Sequence, residues 1–198
     1  MSGGDSFALV DWQIRLVLPH RSPVLQLDRV TACTPALDRL EAVKGLASGD
    51  PMMRHSAVGV ASGATLSCSA AIEAAAQCCG LLLRLRWLAS EGADLNAFAA
   101  GDASQVLNRE IPRSVLAESE AKFAAPFLPG RTLRLATNLV LSRGEMHRFE
   151  ATAEPDTAAS GSGGPAKTTM RIMLNFPRIP AAGNEHSKRV LPARETTC

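Results

Sequence analysis

The chain contains no tyrosine, and aromatic residues make up only 4% of its 198 residues. Aliphatic and small side chains must therefore supply most of any core. A dominant charge of one sign is missing too. The 21 Lys and Arg stand against 19 Asp and Glu, a net charge of +2, which lacks the clustered basic excess of a dedicated nucleic-acid binder. The opening MSGGDSFALVDW has neither the basic start nor the long apolar core of a secretory signal. The five cysteines are odd in number and irregular in spacing, with Cys78 and Cys79 adjacent. That pattern suits neither a zinc site nor a disulfide framework, and it points to a reduced, cytoplasmic setting. No metal is expected.

What is present is an ordinary 46% of hydrophobic residues, enough in a chain of this length for one domain with a real core. The chain is organised around residues 63–89, GATLSCSAAIEAAAQCCGLLLRLRWLA, which are rich in Ala and Leu and free of Pro. Those residue types predict a helix of about six to seven turns, roughly 40 Å long. One face reads Leu66, Ser69, Glu73, Gln77, Gly80, Arg84; the other carries Cys68, Ile72, Ala75, Cys79 and Leu82. The Ala-rich half, with its Ser, Thr, Glu and Gln, is too weakly apolar for a membrane span. Small residues along the whole length suggest instead a buried helix wrapped closely by other backbone.

Residues 1–12 read as a disordered or loosely held start, although 11–18 is amphipathic enough for a helical turn. Residues 18–30, LPHRSPVLQLDRV, have two prolines that favour an extended approach, and then strand-like apolar content. Residues 40–47 could pair with them as a hairpin. After the helix, 91–101 reads as a polar loop and 108–112 as a further connection. Residues 119–125, 132–142, 146–153 and 168–176 alternate at period two, the mark of antiparallel strands with one buried face. PFLPGR, 126–131, reads as a tight turn joining the first two of these. Residues 156–165, DTAASGSGGP, read as a flexible hairpin loop, and 177–198 as a Pro-rich tail. The order predicts an α+β domain over 13–176, an antiparallel sheet wrapped around one long central helix.

Three blocks carry a family resemblance. LPHRSPVLQLDRV resembles the opening signature of the β-hydroxyacyl-acyl carrier protein dehydratases of type II fatty acid synthesis. IEAAAQ, 72–77, resembles that family's helix motif, and AKFAAPFLPGRTLRL, 121–135, its later strand-turn-strand. The resemblance implies a hotdog fold that dimerises along its sheet edges. It implies dehydration of 3-hydroxyacyl chains to trans-2-enoyl thioesters, in fatty acid or polyene/polyketide synthesis. No cofactor is implied beyond the phosphopantetheine of the acyl carrier protein that bears the substrate. The family's catalytic His precedes the helix within a Gly-His-Phe-Pro-Gly segment. The corresponding stretch here is DPMMRHSAVGV, so His55 takes that place without the Phe-Pro-Gly, and Ser67 and Cys68 replace a Pro-Gly at the helix start.

The reaction needs a base for the acidified Cα proton, an acid for the departing hydroxyl, and donors at the thioester oxygen. The resemblance assigns the base to His55 and the acid to Glu73, since a carboxyl in apolar surroundings keeps its proton more readily. Gln77, one turn on, can orient Glu73 or a water between them. His20 reads as a structural His that fixes the start of its strand by hydrogen bonding. Cys68, Cys78 and Cys79 read as small buried hydrophobes. His147 and His186 have no visible partner. Arg84, Arg86, Arg131 and Arg134 are candidates for an acidic carrier protein and its phosphate. The partners expected are acyl carrier protein and a second hotdog subunit, as homodimer or heterodimer, with neither nucleic acid nor membrane. The alternatives are a non-catalytic or half-site subunit of a heterodimer, a hotdog thioesterase, and a ligand-binding module without chemistry.

Overall fold

The computed structural model describes residues 6–55, 64–124, 127–155, 167–177 and 179. The long helix, α2 (Cys68–Ser90), begins later than its composition suggests. Ser67 caps it, its hydroxyl accepting from Ala70 N at 3.2 Å. The preceding Ala64–Leu66 is a short strand, β5, paired antiparallel with β4 (Met53–His55). Leu66 also bridges to Phe127, so its backbone is committed to strand partners and is not free to extend the helix.

Around α2 lies a seven-stranded antiparallel sheet. Its strands are β1 (Phe7–Leu9), β2 (Arg29–Cys33), β3 (Arg39–Gly45), β6 (Val115–Lys122), β7 (Thr132–Arg143), β8 (Met146–Pro155) and β9 (Thr168–Asn175), in the order β1-β2-β3-β7-β8-β9-β6. In β8, His147, Phe149, Ala151 and Ala153 point inward between exposed Met146, Arg148 and Glu150. In β9, Thr168, Met170, Ile172 and Leu174 do the same. One face of the sheet is thus dry and packs on the helix. The early turns of α2 bury Ala70, Ala71, Ala74 and Ala75, and the later ones Leu81, Leu82, Leu83, Leu85 and Leu88. By length and composition α2 could cross a membrane, but 78% of its apolar window is buried inside the fold. One long helix inside a curled antiparallel sheet is the hotdog arrangement.

Small residues on α2 let the strands come close. The Cys79 Sγ lies 3.0 Å from Thr137 Oγ1 of β7. A Cβ at Gly80 would stand 3.1 Å from Ser114 Oγ and 4.0 Å from a Leu174 methyl. Gly80→Leu should therefore overpack this contact and destabilise the fold by about 1–3 kcal/mol. A lowered urea midpoint checks this, and an unchanged one would show that the sheet yields without cost.

Several expectations need correction. Phe7–Leu9 is a strand with Leu9 fully buried, and α1 (Asp11–Val17) follows it, so the start is not loose from residue 7 onward. Residues 91–101 contain α3 (Leu95–Ala99), because Asp94 caps Asn96 and Ala97 N–H groups and Leu95 and Phe98 find the core. β6 pairs with β9 rather than β7, so 126–131 is not a hairpin turn between neighbours. Pro129-Gly130 still turns the chain, with Gly130 at φ +74°, its N–H bonded to Leu46 O at 2.7 Å. Residues 156–165, between the paired strands β8 and β9, lie outside the described residues, as does 177–198 apart from Pro177 and Ile179.

Candidate active site

α2 carries Glu73, Gln77 and Arg84 along one face, since four residues advance the helix by just over a turn and eleven by about three. Residues 18–28 run over that face. They do not form the strand that their composition suggests: a turn covers residues 22–24 and β2 starts only at Arg29. With no strand neighbour, their polar backbone is held partly by side chains of α2. Gln77 is 2% exposed, and both ends of its amide are used. Its Oε1 accepts from Gln26 N at 2.8 Å; its Nε2 donates to Val24 O at 2.8 Å and to Glu73 Oε1 at 2.8 Å. Further along, Arg84 Nη1 donates to Val17 O at 3.2 Å.

His20 lies between these two attachments. Its Nε2 is 3.7 Å from Glu73 Oε1, and the two side chains are 32% and 39% exposed. Burial lowers the imidazole's pKa below 6.5; Arg84 and Arg21 push the same way, and Glu73 opposes them. His20 is therefore held neutral at neutral pH, next to a carboxyl whose second oxygen has no protein hydrogen bond among the described residues. The expectation that His20 secures its strand by hydrogen bonding needs correction. Its Nδ1 is buried without a partner among the described residues, and the segment is secured instead by Gln77, Arg84 and Arg21.

A neutral imidazole and a carboxyl 3.7 Å apart can address two adjacent carbons of a substrate, one removing a proton while the other delivers one. Among the described residues no group of three or more His, Cys, Asp or Glu could hold a metal ion. His55 ends β4 opposite Ala64, and its side chain lies outside the described residues, as does all of His186.

The cysteines divide. Cys78 and Cys79 are buried, and burial pushes both thiols up, Cys79 to about 12, so neither is a ready nucleophile. Cys68 is exposed rather than buried, because it opens the first turn of α2 outside the sheet. The arginines expected at a carrier-protein surface also divide. Arg84 is 4% exposed and Arg86 half-buried, donating to Ala36 O and Leu37 O, so both serve the fold's interior. Arg134 is exposed on β7 beside Glu41 and Asp28 in a groove of mixed charge, with Arg131 half-buried at the start of that strand. His147 has partners after all: Ser142 Oγ at 3.0 Å and the edge of the Phe176 ring. Gln26 was not singled out by its sequence context, since it acts through its backbone N–H. The spacing of Glu73, Gln77 and Arg84 on one helical face was the readable signal.

No family model matches the chain. Its sequence is 30% identical over 145 residues to 3-hydroxyacyl-acyl-carrier-protein dehydratase FabZ of Neisseria meningitidis, covering 72% of this chain and 82% of the relative. The FabZ of Neisseria gonorrhoeae gives the same identity and coverage. The fold is similar to a chain of the dehydratase heterocomplex ApeI:P from Xenorhabdus doucetiae, with a TM-score of 0.55 and 17% identity over 83% of this chain and 91% of that one. On the sequence likeness, which spans most of the hotdog domain, the chain belongs to the 3-hydroxyacyl-acyl-carrier-protein dehydratase family.

Proposed function

We propose that the chain dehydrates 3-hydroxyacyl thioesters carried on acyl carrier protein to trans-2-enoyl thioesters, in fatty acid or polyketide synthesis, with Glu73 as acid and His20 as base. The observation that carries this reading is the His20–Glu73 pair, 3.7 Å apart and seated by Gln77, in a member of this dehydratase family. Neutral His20 takes the Cα proton, and the electron pair of that C–H bond forms the Cα–Cβ double bond. The Cβ–O bond breaks and Glu73 protonates the leaving oxygen, which departs as water. Imidazolium and carboxylate then face each other, and the proton can pass back across the short gap to restore the starting pair. His55 is the alternative base by position in the sequence; the nearness of His20 to the carboxylate favours His20.

A second subunit fits the same reading. In the single chain about a third of each reacting side chain is open to solvent, whereas a dry site strengthens every electrostatic contact within it. The outer strand β6 exposes Val115 and Leu116, with Phe123 just beyond it. A second hotdog subunit, another copy or a paralogue, would cover such an edge. The neighbour ApeI:P is itself a heterocomplex, which favours a paralogue. The free thiols among the described cysteines suit a cytoplasmic setting.

The deciding experiment incubates the purified chain with a 3-hydroxyacyl carrier protein and follows the thioester by mass. Loss of one water with the thioester intact is the expected result. Release of a free 3-hydroxy acid would overturn the dehydratase reading in favour of a thioesterase.

A further inference from the structure

The outer face of the sheet carries a groove of about 610 Å³ at one end of β2, β3 and β7. Arg29 opens β2, Gly45 closes β3 and Thr132 opens β7, and all three line it. Arg29 and Arg134 stand in register on either side of Val43, two strands and thus about 10 Å apart. Neither is in ion-pair contact with a carboxylate among the described residues. The acids around them are already engaged. Glu41 accepts from Arg39 at 2.7 Å, Asp28 accepts from Gly45 N at 2.7 Å, and Glu154, opposite Arg134, lies 3.2 Å from Lys167 Nζ. Two free guanidiniums flanking Val43 and Gly45, with the hydroxyls of Thr31 and Thr132 in the same lining, suit an oxyanion such as a phosphate.

We propose that this groove binds the phosphodiester of the phosphopantetheine arm that carries the substrate. It lies at the end of the sheet where α2 begins. Leu46, the residue after β3, makes backbone hydrogen bonds with Gly130 and Arg131, and Phe127 bridges to Leu66, just before the cap Ser67. Glu73 follows in the second turn of α2. The path from the groove to that carboxyl is short. Three residues of chain, at most about 11 Å, separate Arg29 from Gln26. Gln26 N then donates to Gln77 Oε1, and Gln77 Nε2 to Glu73 Oε1, each at 2.8 Å. The arm has two amides between its phosphate and its thioester sulfur, so a phosphate anchored outside the fold leaves length for the thioester to enter. A charge held at the surface also avoids the cost of burying it. This rests on a carrier-borne thioester as substrate and not on which histidine is the base.

Two small probes separate the phosphate from the rest of the substrate: a 3-hydroxyacyl phosphopantetheine thioester, and the matching 3-hydroxyacyl pantetheine thioester without phosphate. Each is assayed with wild type, Arg29→Gln, Arg134→Gln and the double variant, with the acylated carrier protein run alongside. Arg148→Gln, which removes an exposed arginine of β8, is the control for net charge. Each groove substitution should raise KM for the phosphate-bearing probe about 10-fold, the worth of one hydrogen bond to a charged group. The lost contact is the same in ground and transition states, so kcat should not change. KM for the probe without phosphate should not move, and Arg148→Gln should leave both probes at wild-type values. An equal rise for both small probes overturns the inference. So does no rise for either; if KM for the carrier protein rises all the same, the groove belongs to the carrier's acidic surface. If no thioester is dehydrated by wild type, the proposed function fails while the groove is still tested, by calorimetric titration with unacylated phosphopantetheine and pantetheine. Binding of the phosphate-bearing compound alone, lost in the double variant, supports the inference, and binding without that preference, or no binding, overturns it.

Discussion

Glu73→Gln is expected to lower the rate of 3-hydroxyacyl-carrier-protein dehydration by about 10²–10⁴-fold, the usual worth of a positioned acid or base. The amide matches the carboxyl in shape but has no proton that it can readily surrender to a departing hydroxyl. Its oxygen can still accept the 2.8 Å bond from Gln77 Nε2, so the network around Gln77 should survive. The side chain is 39% exposed, and substitutions at such sites away from the core change stability by about 0.5 kcal/mol or less. In a domain of this size that moves Tm by about 2 °C at most. The measurement pairs initial rates with a thermal melt. Full activity would show that Glu73 is not the acid. A large fall in Tm would make it a structural residue.

His20→Ala should cost a similar factor, about 10²–10⁴ in rate, and His55→Ala should cost far less. The expectation follows from distance: among the described residues the His20 imidazole is the one found at Glu73, with its Nε2 3.7 Å from the carboxyl Oε1 and its pKa lowered by burial, Arg84 and Arg21. The pair belongs to one chain, so the loss should appear in every assembly in which this chain supplies the working Glu73. Each variant is assayed alone and mixed with a paralogous hotdog subunit. If a second subunit closes the site, the mixture should be more active than the chain alone, with His20→Ala still impaired in it. Wild-type turnover in His20→Ala together with loss in His55→Ala would move the base to His55. Equal activity of the isolated chain and the mixture would remove the need for a paralogue.

Much of the fold is determined by the sequence alone. The alternation in 132–142, 146–153 and 168–176 is enough to define three strands, since period-two burial needs only local information. The Ala- and Leu-rich stretch likewise defines the central helix and its depth, because a helix apolar nearly all round has nowhere to sit but inside. Glu73 and Gln77 stand out for a similar reason, being polar residues one turn apart in an apolar helix. Tertiary structure decides what depends on contacts distant in sequence. The start of α2 is set by the pairing of Ala64–Leu66 with Met53–His55, and the place of β6 by its pairing with β9. Local composition constrains neither, because backbone hydrogen-bond partners come from any part of the chain. The same holds for residues 18–28, whose composition suits a strand but of which Val24 O and Gln26 N are taken up by Gln77, while Arg84 holds Val17 O just before them. That capture carries His20 to Glu73 and turns an arginine expected on the surface into a buried cation. Helical spacing puts Glu73, Gln77 and Arg84 on one face; only the packed structure, by laying a particular loop against that face, brings His20 within 3.7 Å of the carboxyl.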